Sequence, residues 1–269
     1  MRSAGAGRGR AAGRGFSLVE AVIVIVIIAM LVSVVSVVAA RVARGSRLAA
    51  EQQLLRSLAM GCEQFKTDFG YPPPLVNDAD PVVTQDGRLQ PNTRGDDFLR
   101  GEVLANEPRH SELSLTYFLM GVLDEDDGTG KPIDGVLGAG LTAPVRAGDR
   151  IVFSQRGRTY PALFDPAKAG HERVVSAGTY QVRLRDRWLQ PIRYYRWATR
   201  YTASGEVENA TAQTNNGHNI PAVLGGNPPG SPELAGAQYA IVSAGPDQTL
   251  SDVDARDPGN EDNLTELGR

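Results

Sequence analysis

The 269-residue chain predicts an α+β architecture in which one very long N-terminal helix, with a membrane-spanning first half, packs its second half on a small antiparallel β-sheet. Three observations predict it. An uncharged apolar run fills residues 21–40, an apolar stripe at seven-residue spacing continues to Phe69, and short segments alternating apolar and polar residues begin near Arg150.

The run from Ala21 to Ala40 is interrupted only by Ser33 and Ser36. At 1.5 Å per residue it spans roughly 30 Å as a helix, the thickness of a bilayer's hydrocarbon core. Glu20 stands at its start. An ionised carboxylate deep in a spanning helix costs on the order of 2.5–3.5 kcal/mol, so Glu20 either sits at the headgroup level or has a partner. Residues 1–15 carry Arg2, Arg8, Arg10 and Arg14, no acidic residue and many small residues, the composition of a leader. A secretory signal would be cut after the apolar run, where Ala39-Ala40 is the nearest site. Cleavage between Gly15 and Phe16 instead would leave the helix on the mature protein.

The stripe Leu48, Leu55, Cys62 and Phe69, with Leu58 and Phe65 between, extends the helix, and Arg47, Glu51, Arg56, Glu63 and Lys66 fill its other faces. A helix over about residues 16–69 is roughly 80 Å long. The pattern covers about three heptads and places Glu51 where a coiled coil wants an apolar residue, so packing on a sheet is the expectation. Gly70-Tyr71-Pro72-Pro73-Pro74 ends the helix, glycine in the left-handed cap and proline unable to continue the ladder.

Beyond it, Ser111–Leu123 reads as a helix capped by Ser111, with Leu115, Phe118, Leu119 and Val122 on one face. Strands are expected at Arg150–Phe153, Arg173–Val175, Thr179–Arg185, Ile192–Thr202 and Gln238–Ser243. Gln181, Arg183 and Arg185 alternate with Val182 and Leu184, the signature of a half-buried strand whose arginines face solvent.

Composition narrows the function classes. A net charge of −3, with many of the arginines near the N-terminus, gives no basic surface for nucleic acid. One cysteine, Cys62, excludes an intrachain disulfide or a multi-cysteine metal cluster, and the stripe places it in the core. His110, His171 and His218 follow no metal or triad spacing and read as surface residues. No Gly-x-Ser-x-Gly elbow or glycine-rich phosphate loop is present, so neither catalysis nor a cofactor is indicated. Asp124–Gly130 lacks an EF-hand's ligand spacing and reads as a solvated acidic turn.

Gly15-Phe16-Ser17-Leu18-Val19-Glu20, followed by the apolar run, resembles the prepilin leader junction of type IV pilins and of the pseudopilins of type II secretion. The resemblance implies a pilin-like fold, cleavage between Gly15 and Phe16 by a prepilin peptidase, methylation of Phe16, and assembly through Glu20. A carboxylate there would pair with the terminal amine of the neighbouring subunit, where low dielectric strengthens the attraction and offsets burial. Phe69-Gly70-Tyr71-Pro72 resembles the stop of the long helix in major pseudopilins. Asp186, Trp188, Pro191 and Tyr194 resemble their Asp-Pro-Trp-Gly-x-Pro-x-x-Tyr signature, with Arg187 and Leu189 replacing proline and glycine. Loss of that glycine predicts a different turn type; Trp188 is expected as a core anchor and Pro191 as a turn setter. The acidic C-terminal segment resembles the family's calcium loop. This makes Asp247, Asp252, Asp254 and Asp257 candidate Ca²⁺ ligands, against the alternative of a disordered acidic tail.

The resulting organisation is a cleaved leader (1–15), the transmembrane half of the helix (16–40), its amphipathic half (41–71), a loop-rich insertion with a short helix (72–149), and an antiparallel sheet with an acidic C-terminal loop (150–269). Four leader arginines and a free amine outweigh Arg41, Arg44 and Arg47, so the leader is expected in the cytoplasm and the C-terminal domain in the periplasm, on a single pass through the inner membrane. The expected function is that of a non-enzymatic subunit of a type II secretion pseudopilus. The partners the resemblance implies are further copies of itself, the prepilin peptidase, the inner-membrane assembly platform, minor pseudopilins and the membrane. A type IV pilin-like or minor tip subunit for adhesion or DNA uptake is the alternative within the class; a membrane-anchored periplasmic enzyme or binding domain is the alternative outside it.

Overall fold

The computed structural model describes residues 17–76, 78, 82–83, 89–90, 110–121, 140–147, 150–154, 157–176, 179–197, 220–225, 232–251 and 255–268. Helix α1 is continuous over Leu18–Phe69, 52 residues. Its first half is apolar and exposed, from Leu18 to Val42, and it is the one described helix long and apolar enough to cross a membrane. Ser33 and Ser36 fit there because their hydroxyls donate back to the carbonyls of Met30 (2.8 Å) and Val32 (2.7 Å), leaving no polar hydrogen unpaired on the apolar surface. Gly70 terminates α1 as expected, at φ 86°, its N–H donating to the Lys66 carbonyl at 2.8 Å.

Contacts divide the chain into Met1–Arg47 and Leu48–Arg269. The described strands of the second unit are Val82–Val83 (β1), Leu89–Gln90 (β2), His110–Ser111 (β3), Leu141–Thr142 (β4), Pro144–Ala147 (β5), Arg150–Phe153 (β6), Thr159–Tyr160 (β7), Gly170–Ser176 (β8), Thr179–Arg185 (β9), Arg193–Arg196 (β10), Tyr239–Ser243 (β11) and Leu264–Gly268 (β12). The main sheet runs in the order β12-β11-β10-β3, each neighbouring pair antiparallel. Four two-stranded ribbons, β1-β2, β4-β7, β5-β6 and β8-β9, accompany it. A long helix plus antiparallel sheets is an α+β arrangement, consistent with a pilin-like fold.

Period-two alternation sorts the two central strands of the main sheet between two cores. Tyr194, Tyr239 and Ile241 join Leu54, Leu55, Leu58, Cys62 and Phe65 of α1 in the larger core. Tyr195, Ala240 and Val242 point the other way, into a smaller core with Trp197, Ile220, Val223 and Leu234, the last on the short helix α2, Pro232–Gly236. β11 is therefore covered on both faces, which is why Tyr-Ala-Ile-Val-Ser reads as a continuous apolar run. The Tyr239 hydroxyl ties β11 to the helix, donating to Glu63 Oε1 at 2.9 Å and lying 3.2 Å from the Ala59 carbonyl.

Several expectations change here. The segment from Ser111 keeps its cap, Ser111 Oγ accepting the N–H groups of Leu113 (3.1 Å) and Ser114 (2.9 Å), but after Ser114-Leu115 it winds as a π-turn over Thr116–Met120 and stops at Gly121. Gly121 stands at φ 69°, and a Cβ there would lie 2.6 Å from Leu141 N, so the backbone crossing forces both the glycine and the early stop. Leu115, Phe118 and Leu119 are buried as predicted; Val122 lies outside the described residues. The region 72–149 is more than loop, since it supplies β3 to the main sheet. Gln181 is buried rather than facing solvent. Beyond the acidic segment lies an edge strand that the sequence reading did not include, β12, paired along its length with β11.

Candidate processing and assembly site

Gly15 and Phe16 lie outside the described residues. At Ser17, where description begins, the backbone N–H donates to Glu20 Oε2 at 2.9 Å, and Ser17 Oγ accepts the Glu20 N–H at 3.2 Å. This reciprocal capping box satisfies two of the donors that a helix start leaves unpaired. Glu20 is exposed, three residues inside the first turn and at the head of the apolar face. The junction therefore presents a carboxylate, held by its own backbone, next to the position where cleavage after Gly15 would place a new amine. The Ser17-x-x-Glu20 spacing is itself a capping-box signature, a local signal in the sequence that the charge of Glu20 beside the apolar run obscures.

The second group of predicted residues forms the turn between β9 and β10. Asp186, 3 % exposed, accepts at Oδ1 the N–H groups of Trp188 and Gln190, both at 2.8 Å, while its own N–H donates to the Gln190 carbonyl. Leu189 takes φ 68° and is 65 % exposed. Leucine here occupies the left-handed conformation that glycine would favour, within a loop closed by the Asp186 hydrogen bonds. Pro191 bridges to Arg185, and Tyr194 is buried, its hydroxyl donating to the Pro73 carbonyl at 2.9 Å just past the end of α1. Trp188 is only half-buried; the tryptophan in the core is Trp197, on the opposite face of the sheet. Glu51, read as part of a polar helix face, is instead fully buried, and its Oε2 accepts the Arg187 N–H of this turn at 3.0 Å.

Arg183 and Arg185 are paired with carboxylates. Arg183 reaches both Glu172 and Glu112 at 2.8 Å, and Arg185 reaches Glu172 at 2.6 Å. Arg183 stands between two carboxylates and Arg185 shares Glu172 with it, which explains their place on the strand. His110 and His171 are half-buried, His110 with its ring 5.2 Å from that of Tyr195; His218 lies outside the described residues, as does Asp124–Gly130.

Of the candidate calcium ligands, Asp252 and Asp254 lie outside the described residues. Asp247 Oδ1 accepts the Thr249 N–H at 2.8 Å, and Asp257 Oδ1 accepts the Gly259 N–H at 2.9 Å, each closing its own turn. Among the described residues no group of three or more His, Cys, Asp or Glu side chains is placed to hold a metal ion.

A capped, exposed apolar helix whose continuation lies in an α+β core supports a protein of the type IV pilin-like or pseudopilin kind. Residues 10–36 match the family described as the prokaryotic N-terminal methylation motif, which spans the leader junction, Glu20 and most of the apolar run. That motif implies processing by a prepilin peptidase and pilus-like assembly, on a helix compatible with a single-pass membrane anchor. No curated protein and no solved structure matches the chain.

Proposed function

We propose that this chain is a non-enzymatic structural subunit of the periplasmic pseudopilus of a type II secretion system. It is inserted through α1 with its leader in the cytoplasm, cut between Gly15 and Phe16, methylated on Phe16, and drawn into a filament with further copies of itself by the assembly platform. The observation that carries the reading is the methylation motif at the head of a 52-residue continuous helix. An apolar first half left exposed has only lipid or other helices to cover it, whereas the second half is a core element of a folded domain. The major-pseudopilin assignment is supported by Phe69-Gly70-Tyr71-Pro72 at the helix stop and by Asp186, Trp188, Pro191 and Tyr194, three of which make the turn and helix-end contacts described above.

The decisive experiment is mass spectrometry of the mature protein from a host with an active prepilin peptidase. The expected amino terminus is a methylated Phe16, and Gly15→Ala should retain the leader. A mature chain beginning beyond Ala40, or one retaining Met1, overturns the filament reading in favour of a secreted or merely anchored domain.

A further inference from the structure

Between Glu20 and Glu51 the chain carries no acidic residue, and its only charges are Arg41, Arg44 and Arg47. They begin at the residue after the apolar run and recur at every third position of α1. Each step of three residues turns the helix by about 300°, so the three share one side within roughly 120° and climb about 9 Å from first to last. All three are exposed, and among the described residues no carboxylate lies within ion-pairing distance of any of them. The next arginine, Arg56, has such a partner in Glu266 at 4.0 Å. Orientation in the membrane does not call for this stripe, because with the leader in the cytoplasm positive residues on the far flank oppose the bias that orients the helix.

Their height along the helix says what they face. With residues 21–40 filling the hydrocarbon, a headgroup layer of about 5–7 Å follows on each side, and Arg41 and Arg44 fall within it. Arg47 starts just above. Helical side chains tilt toward the N-terminus, which here is the direction of the bilayer, so the long stems carry all three guanidinium groups back to the level of the lipid phosphates. A guanidinium presents a planar fork of donors that suits phosphate, and every position of the stripe holds arginine rather than lysine. We infer that Arg41, Arg44 and Arg47 form a clamp for anionic phospholipid headgroups on the bilayer face opposite the leader, an inference that rests on α1 spanning the membrane. A zwitterionic headgroup cancels the charge of its own phosphate, so the clamp selects lipid by net charge. Withdrawing the helix breaks these contacts, and the clamp therefore fixes the depth of the unassembled subunit and opposes its extraction.

The test reconstitutes the full chain in vesicles of phosphatidylglycerol and phosphatidylcholine in equal amounts, dissolves them in mild detergent, and measures by mass spectrometry the lipid that stays with the protein. From about fivefold per arginine near a charged surface, phosphatidylglycerol should be enriched on the order of tenfold or more at low salt, and the ratio should fall to about one in high salt. Arg41→Gln, Arg44→Gln and Arg47→Gln together should abolish the enrichment. A natural chain that retains both lipids equally, or a triple variant that keeps the enrichment, overturns the clamp. So does a triple variant that loses filaments while the natural chain shows no enrichment, which assigns the arginines to acids of a neighbouring copy. Should the variant fail to insert, the natural chain decides: enrichment that salt abolishes supports the clamp, and enrichment indifferent to salt removes it. A mature chain that starts at Phe16 and shows no enrichment fails here alone, whereas one that starts beyond Ala40 has lost the spanning helix and fails the filament reading.

Discussion

Leu189 occupies the left-handed region at φ 68° with its side chain in solvent, so nothing it touches offsets the strain of that conformation. A Cβ there costs roughly 1–2 kcal/mol. Leu189→Gly is therefore expected to stabilise the folded domain by about 1 kcal/mol, read as a higher midpoint in chemical denaturation. Glu20 has two roles that a single truncation would confuse. Glu20→Ala removes both the charge and the capping box, weakening the helix start by roughly 0.5–2 kcal/mol. Glu20→Gln retains the box and removes only the charge, so if charge pairing drives assembly it should insert and be processed normally yet form no filaments by electron microscopy. Filaments from Glu20→Gln would assign the role to the cap. At this scale the sequence was uneven in what it disclosed. Asp186 was legible because its turn bonds to Trp188 and Gln190 are local, whereas Tyr194 was legible only through the motif it belongs to, since its hydroxyl bonds the distant Pro73 carbonyl. Trp188 was expected in the core and is half-buried, since which tryptophan is buried depends on which face of the sheet α2 and the 220–225 segment cover, and that is not written in the local pattern.

Among the elements, α1 was the easiest to read: a bilayer-length apolar run, an apolar stripe and a glycine-proline stop are all local signals, and the observed bounds follow them. Glu51 escaped because its partner, the Arg187 N–H, comes from a distant segment, so burial of a charge-bearing side chain cannot be inferred from helical spacing. β12 escaped because Leu264-Thr-Glu-Leu-Gly268 follows a dense acidic stretch that masks its alternation. Its last residue is tightly constrained: a Cβ on Gly268 would overlap the Tyr239 ring. Gly268→Ala is expected to displace the edge strand, costing on the order of 1–3 kcal/mol and raising amide hydrogen exchange along β12 more than along β10. The π-turn at Thr116–Met120 was invisible because its early stop is imposed by the Leu141 backbone, not by any residue in the helix pattern.

For the molecule as a whole, the Glu51 carboxyl sets a pH window. Its value in the fold, about 7, lies above the ordinary 4.5, so its contribution to stability is fully present below pH 4.5 and is lost as the pH rises to about 7. The loss is on the order of 3 kcal/mol, which denaturant titrations at pH 5 and pH 8, compared with the same pair for Glu51→Gln, should reveal. The motif at residues 10–36 carries the functional reading because it is a short, contiguous signal. The α+β class was equally legible, since it needs only the periods of its elements. The strand order β12-β11-β10-β3 was not, because it depends on pairing between segments more than eighty residues apart in the case of β3 and β10.

Cys62 lies in the middle of the core with no exposed surface, and burial pushes its thiol well above the usual range. A sulfhydryl so placed is unreactive while the domain is closed and becomes available only when the helix parts from the sheet. Because it is the sole cysteine of the chain, its alkylation rate is a built-in gauge of how often the interior opens, needing no engineered label.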